Sequence, residues 1–115
     1  MSRDMQFNIA SEQRGASTVL RPEGDVDMSR SAAFRSSLRE ALQDRPDKLV
    51  IDLQQVEYMD SSGVATLVEA ARNARGQKVP LVLCGLTPKV KAVFEIARLH
   101  LFFEIADSSD NALDG

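Results

Sequence analysis

Leu49-Val50-Ile51-Asp52-Leu53 is a short, β-branched and almost wholly apolar run, with Pro46 shortly before it and the polar pair Gln54-Gln55 directly after it. A strand of that composition has to be covered on both faces, which places it in the middle of a mainly parallel sheet packed by helices. The neighbouring segments supply those helices. From Ser31 to Gln43, Phe34, Leu38, Ala41 and Leu42 recur at helical spacing, with Arg35, Arg39 and Glu40 turned outward. Asp27 or Ser29 is placed to cap the start, and Pro46 closes the helix. Beyond Asp60-Ser61-Ser62-Gly63, a second stripe runs through Val64, Leu67, Val68 and Ala71, kept slim by Ala65, Ala70 and Ala74, with Gly76 as a left-handed terminator.

The alternation then repeats. Val79 to Leu83 reads as another buried strand, with Pro80 tolerated near its start. Thr87-Pro88 pairs a capping hydroxyl with proline at the first helical position, and Val90, Val93, Phe94 and Ala97 follow the helical period. Leu101 to Ile105 should form the last strand, and Asp107 or Ser108 a cap for a short terminal helix carrying Ala112 and Leu113. At the other end, Met5 to Ile9 alternates apolar and polar, and Arg14-Gly15-Ala16 turns into Ser17–Arg21, an N-terminal hairpin whose second strand should weaken near Pro22 and Gly24. The expectation is an α/β fold: a mixed, mostly parallel sheet of about five strands that starts with a hairpin, with three or four helices. At 115 residues the chain suits a single domain, 1–115, with a core over about 6–113.

Charge and composition exclude several functions. Seventeen acidic against 14 basic residues give a formal charge of −3, which argues against a dedicated nucleic-acid surface. No apolar run approaches the roughly 20 residues that span a bilayer, and the N-terminus has no signal-peptide design, so no membrane insertion and a cytoplasmic setting are expected. Neither GxxxxGK[ST] nor GxGxxG occurs, and no cofactor site stands out. The single histidine, His100, and the single cysteine, Cys84, leave little material for a metal site or a Cys–His pair. Cys84 reads as an inert core residue, and His100 as an edge or turn residue. A nucleophile elbow would need GxSxG, whereas Met59-Asp60-Ser61-Ser62-Gly63 lacks the first glycine. The chain is not expected to be an enzyme.

Asp60 to Gly63 is the segment that can carry function, because it places small and acidic residues where a strand passes into a helix. Capping and tight turning explain that composition by themselves. The functional reading is a serine hydroxyl presented in the first helical turn, flanked by an acid, where a kinase can reach it. A phosphate there would meet free backbone N–H groups and the positive end of the helix dipole, so the fold would survive it. A closely packed partner would not, because the phosphate brings about −1.5 to −2 charges beside Asp60. Asp25 and Asp27, after Gly24, read either as turn and cap residues or as acids that accompany Asp60.

Those segments carry a family resemblance. Gly24-Asp25-Val26-Asp27, Leu49–Leu53, Val56-Glu57-Tyr58-Met59-Asp60-Ser61-Ser62-Gly63-Val64 and Val82–Val90 together resemble the STAS domain family, over about Gln6 to Leu113. The resemblance implies an anti-sigma factor antagonist: a bacterial cytoplasmic protein that binds an anti-sigma factor and is switched off by phosphorylation. It implies Ser61 as the acceptor, modified by the anti-sigma factor acting as a serine kinase and restored by a phosphatase. It also implies partner contacts through Asp25, Asp27, Asp60, Ser61, Ser62 and Gly63. The same family includes accessory subunits of lipid- or anion-transporting ABC systems, which would bind a transporter ATPase or permease instead. Two departures stand out: Arg21-Pro22-Glu23 replaces apolar residues of the second strand, and Asp25 stands where glutamate is common.

Overall fold

The structure is a computed structural model, and it describes residues 7–114. The described residues form β1 (Asn8–Arg14), β2 (Ser17–Glu23), α1 (Ser31–Gln43), β3 (Leu49–Asp52), α2 (Ser61–Gln77), β4 (Leu81–Cys84), α3 (Pro88–Ile96), a 3₁₀ turn (Leu99–Leu101), β5 (Glu104–Ala106) and α4 (Ser109–Asp114). The sheet order is β1-β2-β3-β4-β5, with β1 antiparallel to β2 and every other pair parallel. β3 is therefore the central strand, and all four of its residues are buried. Gly15 and Ala16 join β1 to β2, with Gly15 at the positive φ of 64° that a two-residue hairpin loop demands.

Alternation along β3 divides the core. Leu49 and Ile51 meet Phe34, Leu38 and Leu42 of α1 and Leu67, Ala70 and Ala74 of α2, while Val50 faces Val19, Val82, Cys84 and Ala112 on the other side. Small residues on α2 let it lie close to the sheet. α1 and α2 are also tied by Glu69, which accepts from Arg35 Nε at 3.0 Å and from Arg39 Nη2 at 2.6 Å. On the second face Asp52 is only 6% exposed, and its charge is met across the sheet. Arg21 donates from Nε to Asp52 at 3.2 Å and from Nη1 to Glu12 at 2.6 Å, so three neighbouring strands share one ion network.

Cys84 is fully buried in this second cluster, as the sequence suggests. Burial, with a smaller contribution from the nearby Asp52 charge, pushes its thiol up to about 12. The native protein should therefore resist alkylation at mildly alkaline pH and react fully once unfolded in urea. Rapid labelling of native protein would contradict that environment.

Several local expectations shift. Met5 and Gln6 lie outside the described residues, and β1 begins at Asn8 and reaches Arg14. The ladder from β2 to β3 stops at Leu20–Ile51, before Pro22, yet parallel pairing resumes where Val26 bridges Met59. Neither Asp27 nor Ser29 caps α1: the N-cap is Arg30, with no side-chain bond, and Asp27 and Ser29 close the turn ahead of it. Gly76 lies inside α2, and Lys78 takes the left-handed position at φ 61°. The α2 stripe is rotated, so Thr66 is buried while Ala65 is exposed; the Thr66 hydroxyl is satisfied by donating to the Ser62 carbonyl at 2.8 Å. Thr87 is the N-cap of α3 by position, but its hydroxyl donates to the Val56 carbonyl at 2.8 Å instead of capping. The apolar run from Leu101 begins as the end of the 3₁₀ turn, which also holds the exposed His100, and β5 starts only at Glu104. The Ser108 cap stands, with its hydroxyl accepting from the Asn111 N–H at 3.2 Å.

Candidate functional site

Beyond the β2–β3 ladder, two extended segments run side by side. The Gly24 N–H donates to the Gln55 carbonyl at 2.9 Å, the Val26 N–H to the Tyr58 carbonyl at 2.9 Å, and the Asp60 N–H to the Val26 carbonyl at 3.2 Å. Val26 and Met59 form the bridge and are buried, so the period of two turns their neighbours Asp25, Asp27, Tyr58 and Asp60 outward. The same register carries Asp27 alongside Asp60. Residues that are more than thirty positions apart in the chain thus share one surface.

Each of these aspartates closes a turn through a serine two residues on. Asp27 Oδ1 accepts from the Ser29 N–H at 3.0 Å and the Ser29 hydroxyl at 2.7 Å. Asp60 Oδ1 accepts from the Ser62 N–H at 2.9 Å, the Ser62 hydroxyl at 2.6 Å and the Gly63 N–H at 3.2 Å, which makes Asp60 the N-cap of α2. The two Asp-x-Ser turns lead into α1 and α2 from the same junction. Their hydrogen bonds hold both carboxyls below the usual carboxylate range. For Asp60 the Ser62 hydroxyl is the main cause, with burial opposing it and the Gly63, Ser62 and Met28 N–H groups adding to it. For Asp27 the Ser29 hydroxyl leads, burial again opposes, and the Ser29 N–H and the Arg30 charge assist.

A carboxyl depressed in the folded state stabilises the fold above the unfolded carboxyl value of about 3.9, and that contribution is lost as pH falls through the lower folded value. Asp60→Asn keeps a capping residue but removes the charge. Its melting temperature should therefore drop below wild type near neutrality, and the difference should shrink as the pH is taken below about 4. Thermal melts across that range check it, and a pH-independent difference would contradict the charge-based account.

Gly63 is needed for closeness and not for a turn. It lies inside α2, and a Cβ there would fall 2.7 Å from Met59 Cγ and 2.8 Å from both Val26 Cγ1 and the Val26 carbonyl oxygen. Ser61, the first residue of α2, is exposed, and among the described residues nothing hydrogen-bonds its hydroxyl. Ser62 is different, because its hydroxyl is already committed to Asp60. One expectation changes here. The Ser62 and Gly63 N–H groups that would have welcomed a phosphate are occupied by the Asp60 carboxylate. A phosphate on Ser61 would keep the helix dipole but lie beside two carboxylates. Asp25 is exposed on the same surface, and its carbonyl oxygen lies 3.5 Å from Arg30 Nη1. What the sequence reading missed is Met28, which follows the Val26–Met59 bridge by two residues and turns its side chain to solvent.

Among the described residues, no group of three or more His, Cys, Asp or Glu side chains is placed to hold a metal ion, and no helix is long and apolar enough to cross a membrane. A cavity of about 130 Å³ between α3 and β5, lined by Lys91, Phe94, Glu95, His100 and Asp107 among others, shares no residue with the junction.

Comparison with known proteins bears on the family and the fold. The chain is 26% identical over 110 residues to an anti-sigma F factor antagonist of Paenibacillus polymyxa, covering 95% of this chain and 94% of that one. Its fold superposes with a TM-score of 0.88 on the crystal structure of an anti-sigma factor antagonist from Mycobacterium paratuberculosis, at 23% identity and 99% and 97% coverage. It also superposes, with a TM-score of 0.72, on the Bacillus cell fate determinant SpoIIAA in its phosphorylated form, at 21% identity and 93% and 97% coverage. The STAS domain family matches residues 8–112, nearly the whole of the described structure. With its hairpin-led mixed sheet and an Asp-Ser-Ser-Gly turn opening the second helix, the chain belongs to the STAS domain family.

Proposed function

We propose that this chain is an anti-sigma factor antagonist, a non-enzymatic binding protein that docks an anti-sigma factor on the surface made by Asp25, Asp27 and Asp60–Gly63, and releases it when Ser61 is phosphorylated. The observation that carries this reading is the Ser61 hydroxyl: exposed, free of hydrogen bonds among the described residues, and next to an aspartate whose own carboxylate holds the turn in place. The name of the Paenibacillus relative supports the setting, and the phosphorylated form of the Bacillus protein, which shares the fold, supports the switch.

The anti-sigma factor is taken to be the serine kinase, supplying ATP and magnesium. Ser61 Oγ bonds to the γ-phosphorus as the bond to the β-phosphate oxygen breaks, ADP leaves, and the hydroxyl proton passes to solvent or to a base on the kinase. Hydrolysis by a phosphatase would restore the hydroxyl. The added charge of about −1.5 to −2 falls beside Asp60 and Asp27 on a surface the partner has to desolvate, so it acts on the complex far more than on the fold.

The test uses the anti-sigma proteins encoded in the source genome, each purified and incubated with the chain, ATP and magnesium, with the modified residue mapped by mass spectrometry and binding followed by calorimetry. The expected result is one phosphate, on Ser61 and not on Ser62, and loss of binding by the modified protein. Equal affinity of the modified and unmodified forms would end the switch reading.

A further inference from the structure

Two large apolar side chains stand out of the surface at this junction: Met28 is 78% exposed and Tyr58 50%. Single exposed apolar residues need no explanation, but these two stand on the two segments that the Val26–Met59 bridge joins just before Ser61. Val26 and Met59 pair as a single parallel bridge; Met28 stands two residues past Val26 in the turn that leads to α1, Ser61 two residues past Met59 at the start of α2, and Tyr58 directly before Met59. The Asp60 N–H donates to the Val26 carbonyl at 3.2 Å, which holds the two segments together at this point. The fold asks for neither side chain, since the core of this bridge is made by Val26 and Met59, both buried. The charges around them are mostly of one sign. Asp25, Asp27, Glu57 and Asp60 surround the pair, whereas the nearby Arg30 already lies 3.5 Å from Asp27 Oδ2 and from the Asp25 carbonyl oxygen.

Building on the reading that this face docks an anti-sigma factor, we propose that Met28 and Tyr58 are the apolar anchors of that contact, and that the anti-sigma factor receives them in an apolar pocket rimmed by arginine or lysine. Methionine and tyrosine are enriched in interface cores, and an excess of carboxylates around them selects a basic rim on the partner. The arrangement also accounts for the sharpness of a switch at Ser61. Burying the Met28 thioether strips water from its neighbour, and a dianion cannot be accommodated in a contact dehydrated by an apolar anchor.

The experiment is calorimetric titration of four variants against the same purified anti-sigma proteins, with Ser61→Asp as a fifth. Met28→Gln and Tyr58→Ser should each weaken binding about tenfold to a hundredfold, while Met28→Leu and Tyr58→Phe stay within about threefold of wild type. Thermal melts of all four should match wild type, because the side chains are exposed. If the polar variants bind like wild type while Ser61→Asp still abolishes binding, the anchors are refuted and the switch survives. If no anti-sigma protein binds the wild type, both ideas fall. Sedimentation showing that the wild type self-associates through this patch, and that Met28→Gln does not, would assign it to a second copy of the chain and overturn the proposed partner.

Discussion

Gly63→Ala should destabilise the protein by about 2–3 kcal/mol and lower its melting temperature by about 8–15 °C. On an exposed helix the same change would gain about 1 kcal/mol in helix propensity, so the sign of the result is diagnostic. A Cβ at this position would meet Met59 Cγ at 2.7 Å and Val26 Cγ1 and the Val26 carbonyl oxygen at 2.8 Å. The Met59 side chain can yield, but the Val26 carbonyl is held by its bond from the Asp60 N–H, so α2 would have to lift off the bridge. That movement also displaces Asp60 and Ser61, and binding should fall along with stability. Urea denaturation checks the first effect. A variant more stable than wild type would show that the first turn of α2 does not need its close approach to Val26.

The second large effect is on binding. Phosphorylation of Ser61 should weaken the anti-sigma complex by about 10³- to 10⁴-fold, and Ser61→Asp, with a single charge, by about 100-fold or more. Turning a complex from almost fully bound to almost fully free takes about 5.5 kcal/mol of differential affinity, and like charges forced together in an interface cost several kcal/mol. Two features raise the cost here. Asp60 and Asp27 are held in their charged forms by serine hydroxyls, and the Ser62 and Gly63 N–H donors of the helix start are taken by Asp60. Ser61→Ala removes the acceptor without adding charge, so it should bind like wild type and stay bound in the presence of ATP. A Ser61→Asp protein that binds with wild-type affinity would place Ser61 outside the contact.

The elements that were legible in the sequence were those with an unambiguous period. The run Leu49–Leu53 gave the central strand, and the stripe from Phe34 to Leu42 gave α1 to the residue, because burial on two faces and on one face write different patterns. The run Leu101–Phe103 was illegible for the converse reason: a short apolar stretch reads the same whether it enters a strand or ends a 3₁₀ turn, and the left-handed Arg98 before it carried no local signal. Lys78 displaced Gly76 as terminator, because the last α2 carbonyls, Ala74 and Arg75, are closed by the N–H groups of Lys78 and Val79 beyond Gly76. At the candidate site, Asp60 to Gly63 could be found from residue types alone. The approach of the Met28 segment to that turn could not, since it depends on a single bridge between segments more than thirty residues apart.

The link from Glu12 through Arg21 to Asp52 bears on how the chain can change over time. Arg21 is the cation that meets a carboxylate sealed into the central strand. A lineage that loses Arg21 strands that carboxylate, whereas one that first neutralises Asp52 leaves Arg21 answering only to the half-buried Glu12. The order of substitution is thereby constrained, and the two positions should be inherited as a unit.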